Sequence, residues 1–107
     1  MSTAYQMLEY LKEYHNTESN AIKNRDLRLL FNLKDRQVRL IVNQLRQDGK
    51  PICSSSTGYW YSTDPADINK TLHRIEAQAE NMLISIKGLQ KAKKDLGGKG
   101  NAGEGKD

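Results

Sequence analysis

Along the last third of the chain, apolar residues recur at alternating spacings of four and three. They are Ile68, Leu72, Ile75, Ala79, Met82, Ile86, Leu89 and Leu96, and only Lys93 interrupts the series. This is the period of a coiled-coil seam, with Leu72, Ala79 and Ile86 at a positions and Ile68, Ile75, Met82, Leu89 and Leu96 at d. Asp64 and Pro65 supply a cap and a first helical residue ahead of it. Such a helix runs roughly 40 Å at ~1.5 Å per residue. What remains of a 107-residue chain is too small to cover it along its whole length. The expectation is a single small domain over residues 1–63, an oligomerisation helix over 64–96 and a disordered tail over 97–107. The helix either self-associates or folds back on its own domain, and the length and regularity of the seam favour a homo-oligomer, a dimer or larger. Leu83 and Ile84 lie off the seam and point to further contacts, with the domain or in an assembly larger than a dimer. Gly88 weakens the helix locally.

Ahead of the seam the apolar spacing reads as three short helices and a hairpin. Thr3 to Tyr14 has Tyr5, Met7, Leu8, Leu11 and Tyr14 on its apolar side, and Thr3 with Gln6 has capping-box spacing. Ala21-Ile22 is a short extended segment. Asn24 caps a second helix, Arg25 to Phe31, whose core residues are Leu27, Leu30 and Phe31. Asn32-Leu33 turns into a third helix over residues 34–48. There Val38, Ile41, Val42 and Leu45 fall at i, i+3, i+4 and i+7, which makes one apolar stripe. Gly49 follows at the position of a left-handed C-cap, and Pro51 prevents any continuation. Ile52-Cys53-Ser54 and Tyr59-Trp60-Tyr61 are strand formers on either side of Ser55-Ser56-Thr57-Gly58, a small hairpin that must pack on the helices to be stable. Ile52, Tyr59 and Tyr61 are expected to face the core. Trp60, on the opposite side, should lie near the next helix or stay partly exposed.

The net charge of +4 is modest, but it is unevenly spread. Residues 1–22 carry net −2, residues 23–50 net +5, residues 51–64 net −1 and residues 65–96 net +2. Positive charge is therefore concentrated around the third helix. Its non-apolar side carries Arg36, Gln37, Arg39, Asn43 and Arg46. A helix anchored on one face, with Arg, Gln and Asn on the other, suits reading base edges in a major groove. Arg forms paired hydrogen bonds with guanine, and Gln or Asn with adenine.

The order helix, helix, turn, helix, hairpin is that of a winged helix-turn-helix. The segment AIKNRDLRLLFNLKDRQVRLIVNQLRQDGKPICSSSTGYWYS resembles the biotin-repressor-type winged-helix domains of bacterial and phage regulators. The matching features are Asp26-Leu27, Leu33, Val38 with Leu45, the Leu45-Arg46-x-Asp48-Gly49 exit, Pro51-Ile52 and Gly58-Tyr59. The resemblance implies that Leu33, Val38, Val42 and Leu45 hold the third helix in place. It also implies that Asp35, Arg36, Gln37, Arg39, Leu40 and Asn43 face the groove. Arg25 would then meet phosphate, and Ser55, Ser56 and Thr57 at the wing tip would approach the neighbouring backbone. Position 34, often a small capping residue in that family, is Lys here, which suits a phosphate better than a helix N–H. The wing also lacks Arg and Lys, so Lys50 at its base is the stronger candidate there.

Other chemistry is poorly supported. The one cysteine, Cys53, excludes an internal disulfide and suits a cytoplasmic protein with a reduced thiol. His15, Cys53 and His73 have no metal-ligand spacing, and no nucleophile has an adjacent base. Tyr59-Trp60-Tyr61 suits stacking on single-stranded bases less well than it suits a core. The tail segment GNAGEGKD is close to a phosphate-binding loop, but Asp107 replaces the required hydroxyl and no strand precedes it. The expectation is therefore a non-enzymatic protein without metal, cofactor, small-molecule ligand or membrane span. Its partner is double-stranded DNA, read by Arg36, Gln37, Arg39, Leu40 and Asn43, with phosphates met by Lys23, Arg25, Lys34, Lys50, Ser55, Ser56 and Thr57. The function expected is dimeric transcriptional regulation. The alternatives are an architectural replication or excision factor of a phage or plasmid, and a protein-docking adaptor that binds no DNA.

Overall fold

The computed structural model describes residues 2–97. The chain is mainly helical with one antiparallel hairpin, in the order α1 (Thr3–Tyr14), α2 (Asn24–Phe31), α3 (Asp35–Gln47), β1 (Ile52–Ser55), β2 (Gly58–Tyr61) and α4 (Pro65–Gly97). It divides into two compact units, the first ending at Leu72 and the second beginning at His73. The first two turns of α4 thus belong with the hairpin, so the first unit runs past the expected limit at residue 63. The tail expected to be disordered lies outside the described residues beyond Gly97.

In the first unit the three short helices enclose Met7, Leu8, Leu11, Ile22, Leu27, Val38, Val42, Leu45 and Ile52. The cap of α1 is Ser2 rather than Thr3: its Oγ accepts the Tyr5 N–H at 3.2 Å. Met7, Leu8 and Leu11 are buried, whereas Tyr5 and Tyr14 at the helix ends stay largely exposed. Tyr14 packs against Tyr10, with ring centroids 5.2 Å apart, while Tyr10 meets Phe31 of α2 edge-on at 5.8 Å. On α2, Leu27 and Phe31 lie one turn apart on the core side. Leu30, expected in the core, is 55% exposed.

Asn32 ends α2 in the left-handed region at φ 55°, a conformation Asn adopts more readily than most residues, and the Leu33 N–H returns to the Arg28 carbonyl at 2.9 Å. Gly49, at φ 84°, does the same for α3: Lys50 N–H reaches the Leu45 carbonyl at 2.9 Å, closing a Schellman-type cap.

The hairpin pairs Ile52 with Tyr61, Cys53 with Trp60, Ser54 with Tyr59 and Ser55 with Gly58. Ile22 bridges its second strand, exchanging both backbone hydrogen bonds with Tyr59 at 2.8 Å. Ile52, Tyr59 and Tyr61 pack against the helical core as expected. Trp60 does not stay partly exposed: it is 1% exposed, paired with buried Cys53 on the opposite face. Its indole Nε1 donates to Asp67 Oδ2 at 3.1 Å, and Ser62 Oγ donates to the same oxygen at 2.8 Å. These two hydrogen bonds, Ser62 first, hold the Asp67 carboxyl below the usual carboxylate range. Thr71 Oγ1 accepts the Ser54 N–H at 3.2 Å. The hairpin is thus buried on both faces, one by α1–α3 and the other by the first turns of α4.

The helix starts as its sequence predicts, with Asp64 Oδ1 accepting the Ala66 N–H at 2.9 Å. In the second unit, every described residue from Glu76 onward is exposed, including Ala79, Met82, Leu83, Ile84, Ile86, Leu89 and Leu96. Ile75 is partly buried. Among the described residues, no helix is long and apolar enough to cross a membrane.

Candidate nucleic-acid interface

The candidate site is the outward side of α3 together with the start of α2 and the hairpin turn. Val38, Val42 and Leu45 are buried, and Ile41 packs against the same core from the side. That stripe fixes the helix rotationally and turns Arg36, Gln37, Arg39, Leu40 and Asn43 to the exterior, where all five are exposed. The order of spacing then separates them. Arg36, Leu40 and Asn43 fall at i, i+4 and i+7 on one line, and Gln47 continues it. Arg36 to Asn43 covers about 10 Å at ~1.5 Å per residue, close to three base-pair steps of ~3.4 Å.

Gln37 and Arg39 are exposed but engaged. Gln37 Oε1 accepts the Lys34 N–H at 2.8 Å, the returning half of a capping box, while Lys34 offers no acceptor to the N–H groups of the first helical turn. Arg39 Nε meets Asp35 Oδ2 at 3.0 Å, one turn back on the same helix. Such an exposed pair contributes only a few tenths of a kcal/mol, about 0.3–0.5, and yields readily to a stronger anion.

Arg46 departs most from the sequence reading. It lies partly buried between α3 and the hairpin: Nε donates to the Ile52 carbonyl at 2.8 Å and an Nη to Ser54 Oγ at 2.9 Å. It fastens α3 to β1 and is not part of the outward row. A signal was present in the sequence. Only Asp48-Gly49-Lys50-Pro51 separates α3 from the strand, so the last turn of the helix has to lie beside strand backbone.

The phosphate candidates fall into groups. Lys23, Arg25, Ser55 and Ser56 meet around one open hollow of about 340 Å³, with Asn24, Gly58 and Tyr59 completing its wall. Lys23 Nζ donates to the Ser56 carbonyl at 3.4 Å, drawing the start of α2 and the hairpin turn together. Thr57 is exposed on the tip, its Oγ1 2.7 Å from Ser55 Oγ. Lys34 lines a separate hollow with Arg28, Leu29, Asn32, Leu33 and Asp35. Lys50 is exposed after the C-cap of α3. Among the described residues the ion pairs are Lys12–Glu9, Arg39–Asp35 and Lys91–Asp95, which leaves Arg25, Lys34, Arg36 and Lys50 without an acidic partner. The Cys53 thiol is buried, which pushes its pKa up and disfavours the thiolate, and no cluster among the described residues has the makings of a metal site.

The α2–turn–α3 pair is backed by a hairpin, the layout expected from the sequence, and the outward row of the second helix carries one unpaired cation, Arg36, beside Leu40 and Asn43. Comparison with family models, with curated proteins and with solved structures finds no match.

Proposed function

We propose that this chain is a DNA-binding protein of the winged helix-turn-helix class, similar to the biotin-repressor type, acting as a dimeric transcriptional regulator. α3 enters the major groove. Arg36 and Asn43 read base edges, Leu40 packs on a thymine methyl, and Arg39 exchanges Asp35 for a guanine or a phosphate. Lys23, Arg25, Ser55 and Ser56 hold one phosphate stretch where α2 and the hairpin meet, and Lys34 and Lys50 add charge on either side of α3. A second copy, joined through the seam of α4, supplies the second half-site. The observation that carries this reading is the row Arg36, Leu40 and Asn43, outward on a helix whose inward side is locked by Val38, Val42 and Leu45.

Titration on duplex DNA at several salt concentrations tests it. Affinity should fall steeply as salt rises, because each neutralised phosphate releases condensed counterion. Weak, salt-insensitive association with every duplex would remove DNA from the reading. Selection of bound sequences from a random pool then separates a regulator, with one discrete site, from an architectural factor that bends DNA with little sequence preference.

A protein-docking role has one observation in its favour. Leu29 is 72% exposed on α2, next to outward Leu30, an apolar patch that DNA contact does not use.

A further inference from the structure

The seam of α4 is not equally available along its length. Ile68 is partly buried and Thr71 is buried against the hairpin, both within the first unit. What remains for another chain is Leu72, which is 49% exposed, with Ile75, Ala79, Met82, Ile86, Leu89 and Leu96, and Lys93 at the a position between the last two. Leu83, at an e position, is also exposed, and a parallel pair explains neither it nor Lys93. In a parallel dimer each a residue faces its own counterpart, so Lys93 would lie against Lys93. Position e faces g of the other helix, so Leu83 would lie against Gln78.

Reversing one helix resolves both. In an antiparallel pair a faces d and e faces e. Centring the pair on the available seam sets Met82 opposite Ile86, Ala79 opposite Leu89, and Lys93 opposite Ile75 with Glu76 alongside. Leu83 then meets Leu83 across the two-fold axis, as a residue on a dyad must. The small Ala79 is filled by the large Leu89 instead of facing a second alanine. Charge agrees with this. Residues 73–84 carry net −1 and residues 85–96 net +3, so a parallel pair stacks +3 on +3 and an antiparallel pair sets +3 beside −1. We propose that the helical segment His73–Leu96 pairs antiparallel with the same segment of a second copy, with Leu83 at the dyad. This rests on the self-association proposed above and specifies its geometry.

Single-cysteine variants of the full chain test the orientation, since Cys53 is buried and out of reach of thiol exchange. A mixture of Ala79→Cys and Leu89→Cys in a glutathione redox buffer should give the mixed disulfide as the main product. Leu89→Cys alone should form little homodisulfide, because its two copies sit ten residues from register, about 15 Å at ~1.5 Å per residue. Ready homodisulfide formation by Leu89→Cys would show a parallel pair and overturn the orientation while leaving self-association intact. A monomer by sedimentation equilibrium would overturn both. Leu83→Lys should weaken the dimer about tenfold or more, and Ile84→Lys, on the outer face, should leave it within about twofold, the ~1.4 kcal/mol per tenfold relation setting the scale. Equal effects of the two would also overturn the proposal, and circular dichroism of each variant confirms that the helix is retained.

Discussion

Asp67 joins the far face of the hairpin to the first turn of α4, and its removal should be measurable with a probe the chain already carries. Trp60 is the sole tryptophan, it is 1% exposed, and its Nε1 ends on Asp67 Oδ2 at 3.1 Å. The Ser62 hydroxyl ends on the same oxygen at 2.8 Å. Asp67→Ala removes the acceptor and strands the indole N–H in a buried place, which costs about 1–3 kcal/mol for a polar group left unpaired. Asp67 is partly exposed, so water repays some of the lost Ser62 bond, and we expect about 2 kcal/mol in all. For a domain of this size that lowers Tm by roughly 10 °C. Asp67→Asn keeps an acceptor oxygen and loses the charge, so about half the effect is expected.

Urea unfolding followed by Trp60 emission reads both stability and the indole environment. The sign with pH follows from the lowered carboxyl. Its folded pKa lies below the unfolded value of about 3.9, so the stabilisation is complete above that value and fades as pH falls through the lower folded one. The gap between parent and Asp67→Ala should therefore close in acid and stay constant from neutral upward. Equal midpoints and unchanged emission at pH 7 would refute the reasoning.

Arg36→Ala should weaken specific DNA binding by about 1–3 kcal/mol with the unfolding midpoint unchanged, and Arg39→Ala should do the same less its small Asp35 pair. Equal affinities of variant and parent in a fluorescence anisotropy titration would take either residue off the reading surface. Gly58→Ala should destabilise by more than about 1 kcal/mol, because Gly58 sits at φ 131° and a Cβ there collides with the Ile22 carbonyl. Denaturant titration reads that loss. Gly88→Ala meets only open space and should strengthen the helix by about 0.5–1 kcal/mol, seen as higher helicity and a higher melting temperature by circular dichroism.

The parts of the molecule written in strong local periods were legible in the sequence. The stripe Val38, Val42 and Leu45 with Gly49 behind it set α3 and its outward side, and Asp64-Pro65 with the heptads set α4. Residues whose environment depends on distant segments were not. Leu30 looked like a core residue because one helix period cannot tell its inner face from the flank. Trp60 could be placed either near the next helix or partly exposed, and the first holds; nothing in a four-residue strand reveals that Asp67 and Thr71 come back over it closely enough to bury it. Arg46 looked like part of the charged surface because its partners, a carbonyl and a hydroxyl, leave no mark on charge pattern. Gln37 was read as a base-contacting amide. It also accepts the Lys34 N–H ahead of α3, the half of a capping box that position 37 supplies whatever side chain stands at position 34.

The hairpin's outward-pointing backbone groups have a consequence for how copies of this chain meet. The Ile52 carbonyl is taken by Arg46, and Thr71 Oγ1 meets both Ser54 N–H and Ser54 O. On the other strand Ile22 occupies both groups of Tyr59, and the Tyr61 N–H is bound by the His15 carbonyl. A foreign strand approaching either flank finds the hydrogen-bonding positions it needs already filled, so sheet extension, the common route from exposed strands to aggregates, is blocked by side chains and neighbouring loops. Copies brought together at high local concentration are left to associate through helices.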